Sequence, residues 1–161
     1  KLFRLKKGGK INTGIFEGAT INTPSMLATE DYIDALEWAQ SIGGRKAMFE
    51  RADANAKLVK DWIEATPWLR NMVADPAKRT NTGVCFVFQG DWYDSLSDEE
   101  KAGVPKKIVK LLEDRDVGYD FNGYRDAPPS LRIWCGGTVE QEDLKRLLPW
   151  IEWAYEQVKN G

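Results

Sequence analysis

Polar and apolar positions change period along the chain, and the changes divide it into segments. Residues 1–20 show no period: Lys1 to Lys7 is basic, and Gly8-Gly9, Gly14 and Gly18 punctuate the rest of this stretch, so an irregular arm is expected. After Thr23-Pro24, the positions Met26, Leu27, Ile33, Leu36 and Trp38-Ala39 recur at helical spacing. Pro24 suits the first helical position, where its missing N–H has no partner to lose; Thr29-Glu30-Asp31 offers a second start, and Gly43-Gly44 a stop. A long alanine-rich helix is predicted from Arg45 to Ala65, with Met48, Ala52, Leu58, Val59, Trp62 and Ile63 as its stripe, closed by Thr66-Pro67. A helix so weakly apolar along its length is the kind that bridges two lobes.

From about residue 80 the pattern changes. Val84-Cys85-Phe86-Val87-Phe88 reads as a compact buried strand. Ser97-Asp98-Glu99-Glu100 has capping-box spacing, Pro105 restarts the helix, and Ile108, Leu111 and Leu112 form its inner face up to Gly118. Two short strands then flank Asp126-Ala127-Pro128-Pro129. Thr138-Val139-Glu140-Gln141 repeats the capping-box spacing and opens a last helix lined by Leu144, Leu147, Leu148, Ile151 and Tyr155, with a kink at Pro149. The order strand, helix, strand, strand, helix predicts an α/β sandwich with helices on one face of a short mixed sheet.

Composition narrows the function classes. At 161 residues the chain can bury a core of one domain, or one domain and part of another. A net charge of -2 gives no attraction to nucleic acid or to a membrane surface, and no apolar run reaches the ~18 residues of a span. Seven tryptophans point to thick packing layers or a large interface. Two cysteines, Cys85 and Cys135, both in strand-like runs, read as free thiols of a reducing compartment, hence the cytoplasm. The chain has no histidine, which removes Ser-His and Cys-His catalysis and the common metal sites, and no GxxxxGK[ST] loop is present.

The remaining polar candidates are anion binders. Alternation along Leu131-Arg132-Ile133-Trp134-Cys135 places Leu131, Ile133 and Cys135 on one face and Arg132 with Trp134 on the other. Arg132 is either a stacked surface residue or a planar fork for a carboxylate. Arg125 precedes it across the stiff Pro128-Pro129 loop and reads as a surface residue or a second anion contact. Asn22 and Thr23 read as helix-cap residues, or as a phosphate site at a helix start.

Taken together, Ile21-Asn22-Thr23-Pro24-Ser25, Leu36-Glu37-Trp38, Gly43-Gly44, Asp75-Pro76-Ala77-Lys78-Arg79 and, most specifically, Gly123-Tyr124-Arg125-Asp126-Ala127-Pro128-Pro129-Ser130-Leu131-Arg132-Ile133-Trp134-Cys135-Gly136 resemble the C-terminal part of the phosphoserine aminotransferase family. The resemblance runs in order along essentially the whole chain. It implies a fold-type I, pyridoxal 5'-phosphate-dependent homodimer that exchanges an amino group between glutamate and 3-phosphohydroxypyruvate, giving phosphoserine for serine synthesis. It further implies that 1–44 is a remnant of the cofactor-binding large domain with a cross-dimer arm, 45–66 the bridging helix and 67–161 the small domain. Asn22 and Thr23 match the pair that reaches the cofactor phosphate of the other subunit. Arg132 matches the arginine that holds the substrate α-carboxylate, and Arg125 falls near the basic pair that meets the substrate phosphate. Many relatives have a His-Arg pair there and a Gly-Gly loop, where this chain has Tyr124-Arg125 and Pro128-Pro129. The family's cofactor-binding lysine, pyridine-pairing aspartate and ring-stacking aromatic have no counterpart in these residues, so the segment alone is expected to be inactive. A free-standing, non-catalytic α/β anion-binding or regulatory module and a sister aminotransferase with another acceptor are the alternatives.

Overall fold

The computed structural model describes residues 6–19, 23 and 25–161. The chain divides into two compact units, Lys1–Ile42 and Gly43–Gly161.

In the first unit the arm is more regular than its composition suggests. Strands β1 (Lys6–Lys7) and β2 (Lys10–Ile11) pair antiparallel, with Lys7 opposite Lys10. Gly8 and Gly9 both adopt positive φ (59° and 78°), the conformation that a tight hairpin turn requires of both central residues. Helix α1 (Met26–Ser41) starts two residues later than the expected Pro24, because Ser25 is its N-cap and accepts a hydrogen bond from the Ala28 N–H at 3.3 Å. Its end matches expectation: Gly43 and Gly44 take φ of 114° and 67°.

The second unit is built on a three-stranded sheet. Helix α2 (Gly44–Ala65) leads into β3 (Leu69–Asn71) and then β4 (Gly83–Phe88), the central strand. A short helix α3 (Asp91–Asp94) and the longer α4 (Asp98–Glu113) come next, then β5 (Ser130–Trp134) and α5 (Gln141–Asn160). All pairings are antiparallel, whereas a mixed sheet was expected: the long loop after α4 brings β5 back along β4 in the opposite sense. The segment before Pro128-Pro129 is one isolated bridge, Asn122 to Leu131, instead of a strand. Strand β3 is too short to show a period, and its pairing with β4 alone defines it.

Alternation along β4 turns Val84, Phe86 and Phe88 inward, opposite Ile133, Leu131 and Leu69 of the neighbouring strands. Against them pack Val59 and Ile63 of α2, Ile108 and Leu112 of α4, and Leu148, Ile151 and Tyr155 of α5, each essentially out of water. Burying a side chain of this size stabilises the fold by about 1.5–3 kcal/mol. Several tryptophans thicken this layer. Trp68 stacks on Tyr155 with ring centres 3.7 Å apart, and Trp62 meets Phe86 edge-on.

The capping box of α4 forms as its spacing predicts: Ser97 Oγ accepts from the Glu100 N–H at 3.3 Å, and Glu100 Oε2 accepts from the Ser97 N–H at 2.8 Å. Helix α4 then runs through Pro105, where a restart was expected, because its ring is buried in a stripe that packs on both sides of the lost backbone bond. Pro149 likewise lies inside a continuous α5. The second capping box does not form. Glu140, rather than Thr138, is the N-cap of α5, and its carboxylate accepts from Arg51 of α2. Asn55 of α2, only 2% exposed, donates to the carbonyls of Val139 (2.9 Å) and Gly136 (3.4 Å), so α2 dictates the turn that enters α5.

Two substitutions test this account by chemical denaturation. Ser97→Ala removes one reciprocal bond of the capping box and should lower stability by about 0.5–2 kcal/mol. Asn55→Leu leaves the half-buried Val139 carbonyl without its donor and the Gly136 carbonyl with the Val139 N–H alone, and should cost about 1–3 kcal/mol. Unchanged midpoints for both would mean that neither contact holds its helix.

Candidate functional site

The outer face of the sheet carries the polar chemistry. Because Leu131 and Ile133 point into the core, Arg132 and Trp134 must point out, as the alternation predicts. In the β4–β5 register Arg132 lies directly opposite Cys85. Its side chain is 23% exposed, so most of its stem is covered while the guanidinium reaches the surface.

Two residues of the loop before β5 meet that guanidinium. Nη2 of Arg132 donates to Oδ2 of Asp120 at 2.9 Å. The Tyr124 ring lies against the guanidinium carbon at 4.8 Å from the ring centre, a cation–π contact that also restrains its plane. The backbone ties loop and strand together through the Arg132 N–H, which donates to the Phe121 carbonyl at 2.8 Å. A cleft of about 290 Å³ opens beside the arginine, lined by Asp120, Phe121, Arg132, Trp134, Leu144 and Leu147 among others. A cation at the edge of a cleft with apolar walls suits a small acid: the walls lower the local dielectric and strengthen a charge-assisted bond.

Arg125 occupies the exposed turn closed by the Ala127 N–H to Tyr124 carbonyl bond, and it makes no ion pair among the described residues. The loop therefore brings Tyr124 to Arg132 and leaves Arg125 to solvent. Thr23 is exposed ahead of α1, outside the capping position held by Ser25; Asn22 lies outside the described residues. Neither Asp120 nor Tyr124 stands out in the sequence as a partner of Arg132. In the structure the loop turns at Asp116 and Asp120, which adopt left-handed φ of 54° and 60°.

The two thiols are free. Burial pushes the Cys135 thiol up to about 11, and burial also raises Cys85, against which the Arg132 charge pulls down. No group of three or more His, Cys, Asp or Glu is placed to hold a metal ion among the described residues, and no helix there is long and apolar enough to cross a membrane.

Comparison with known proteins bears on what this arrangement serves. No protein-family model matches the chain. It is 46% identical over 159 residues to a phosphoserine aminotransferase of Methanosarcina mazei, covering 99% of this chain and 40% of the relative, and 48% identical over 159 residues to that of Methanosarcina barkeri, with the same coverage. The chain corresponds in sequence to the C-terminal segment of phosphoserine aminotransferases. It spans about 40% of the length of the curated relatives it matches. The solved phosphoserine aminotransferase from Bacillus circulans subsp. alkalophilus superposes with a TM-score of 0.71 over 90% of this chain and 37% of that one, at 20% identity. That likeness carries the fold alone: helices with a small antiparallel sheet. The resemblance read from the Tyr124 to Gly136 stretch is thus borne out.

The proximity of Arg132 and Cys85 is open to a thiol test. Cys85, half-buried and under the arginine's field, should be alkylated faster at pH 8.5 than Cys135, whose thiolate fraction there is on the order of 1% or less. Arg132→Met, which keeps the stem and removes the charge, should slow Cys85 and leave Cys135 alone. An unaltered Cys85 rate would show that the two side chains do not share a field.

Proposed function

We propose that this segment serves a pyridoxal 5'-phosphate-dependent phosphoserine aminotransferase, a cytoplasmic homodimer that moves an amino group between glutamate and 3-phosphohydroxypyruvate and so makes phosphoserine for serine synthesis. The observation that carries the reading is Arg132, which projects from β5 beside a cleft with an aromatic ring behind it and a single acidic partner. In this role Arg132 grips the substrate α-carboxylate and fixes the acid's orientation, so that the reacting nitrogen arrives in a productive geometry. Tyr124 restrains the guanidinium plane. Arg125, on the exposed loop next to it, meets the substrate phosphate.

Residues 1–44 then belong to a large cofactor-binding domain with an arm that crosses the dimer, 45–66 form the bridging helix, and 67–161 the small domain. Exposed Met26, Leu27, Tyr32, Ile33 and Leu36 on α1 support this division, since a helix with that much apolar surface calls for a covering partner. The start of α1 fits a phosphate group: no acidic residue occupies the first turn, Thr23 offers an exposed hydroxyl just ahead of it, and first-turn N–H groups favour negative charge. Asn22 and Thr23 would hold the cofactor phosphate of the other subunit there. When bound, the cofactor supplies the electron sink for amino transfer; this segment's residues supply binding and orientation. The cofactor-binding lysine belongs to the rest of the enzyme, so the segment alone is inactive.

Steady-state kinetics of the full-length enzyme test the assignment. Arg132→Ala should raise KM for both phosphoserine and glutamate, an apparent loss of about 2–4 kcal/mol for a charge-assisted pair. Arg125→Ala should raise KM for the phosphorylated substrate alone. Apparent affinities untouched by Arg132→Ala would remove the carboxylate role.

A further inference from the structure

We infer that Asp120 is an internal counter-carboxylate of the Arg132 site: it occupies the guanidinium when no acid is bound and leaves when a substrate carboxylate takes its place. The inference rests on Arg132 being the carboxylate-binding residue, and it adds a competing group that sets how tightly and how selectively acids bind.

Four features of the pair argue for this. The contact is single: Nη2 to Oδ2 at 2.9 Å is the one hydrogen bond between them, although a guanidinium and a carboxylate can form two in parallel. An incoming carboxylate that makes both bonds therefore outcompetes it. The two partners are also unequally anchored. The arginine side chain is 23% exposed and the aspartate 84%, so the departing aspartate uncovers little and leaves its own charge in water, while the largely covered arginine waits for a replacement carboxylate. Among the described residues, moreover, Asp120 has no second hydrogen-bond or ion-pair partner to hold it in place.

The fourth feature is that Asp120 is not needed to orient the arginine. Tyr124 backs the guanidinium at 4.8 Å, and β4 fixes the strand that carries it, so the fork keeps its direction once the aspartate has left. Asp120 itself sits at φ 60°, a left-handed conformation on an exposed loop, and it is the backbone rather than packing that aims its carboxylate at the site. A competing internal group lowers apparent affinity by the fraction of molecules in which the fork is free. It also disfavours ligands without a carboxylate, which cannot replace the charge they displace.

The test uses the full-length holoenzyme and two readouts: KM for L-glutamate, and equilibrium binding of glutarate, a dicarboxylate with no amino or keto group to react, by calorimetry. An exposed ion pair holds its partner by a factor of about two to five, so Asp120→Asn should tighten glutarate binding and lower the glutamate KM by that factor. Asp120→Glu, which keeps the charge, should stay near the parent. If Asp120→Asn weakens binding or leaves it unchanged while Arg132→Met abolishes it, Asp120 merely positions the arginine or does nothing, and the inference is overturned. If Arg132→Met leaves glutarate binding intact, the reading of Arg132 itself falls instead.

Discussion

The register between β4 and β5 is the constraint on which the second unit depends. Side chains on a strand alternate between faces, so a slip of one residue would turn Arg132 toward Phe86 and expose Leu131 and Ile133. Those two are buried with helices packed over them, and the loss of their burial, together with a charge forced into the core, makes the slipped pairing prohibitive. The core thus aims the arginine. No polar contact on the outer face has to do so, which leaves Asp120 and Tyr124 available for ligand exchange and support.

Helix α2 carries the second constraint. Its Arg51 and Asn55 bind the turn between β5 and α5 by side-chain hydrogen bonds to Gly136, Gly137, Val139 and Glu140. Space is equally restricted there: a Cβ on Gly137 would come within 2.7 Å of the Met48 carbonyl oxygen, so the turn and the helix approach as closely as glycine allows. The start of α5 is consequently set by a helix far away in sequence. That explains why the Thr138 spacing, a sound local signal, does not produce a cap.

The contrast between core and site is one of energy. Inner-face residues of β4, β5 and helices α2, α4 and α5 hold the fold through burial. The site is assembled from an exposed loop whose polar groups make few bonds, so its contacts can be exchanged at little cost to the fold. Cys85 stands between the two regimes, on the outer face yet half-buried, where desolvation and the arginine's charge oppose each other.

Local periodicity and end signals made part of the molecule legible in the sequence: α2 with its stop at Thr66-Pro67, the β4 strand, the Ser97 capping box, the stripe of α5 and the outward face of Arg132. The Tyr124 to Gly136 motif also carried the family resemblance. Only the tertiary structure decided the rest. The antiparallel sense of the sheet, the three-residue β3, the unbroken passage of α4 through Pro105 and the α5 cap at Glu140 each depend on contacts between residues distant in sequence, which outweigh a local preference worth about 1–3 kcal/mol. The partners of Arg132 belong to the same class. Asp120 and Tyr124 reach it because a loop with a left-handed backbone folds over β5, and neither periodicity nor spacing encodes where such a loop will place its side chains.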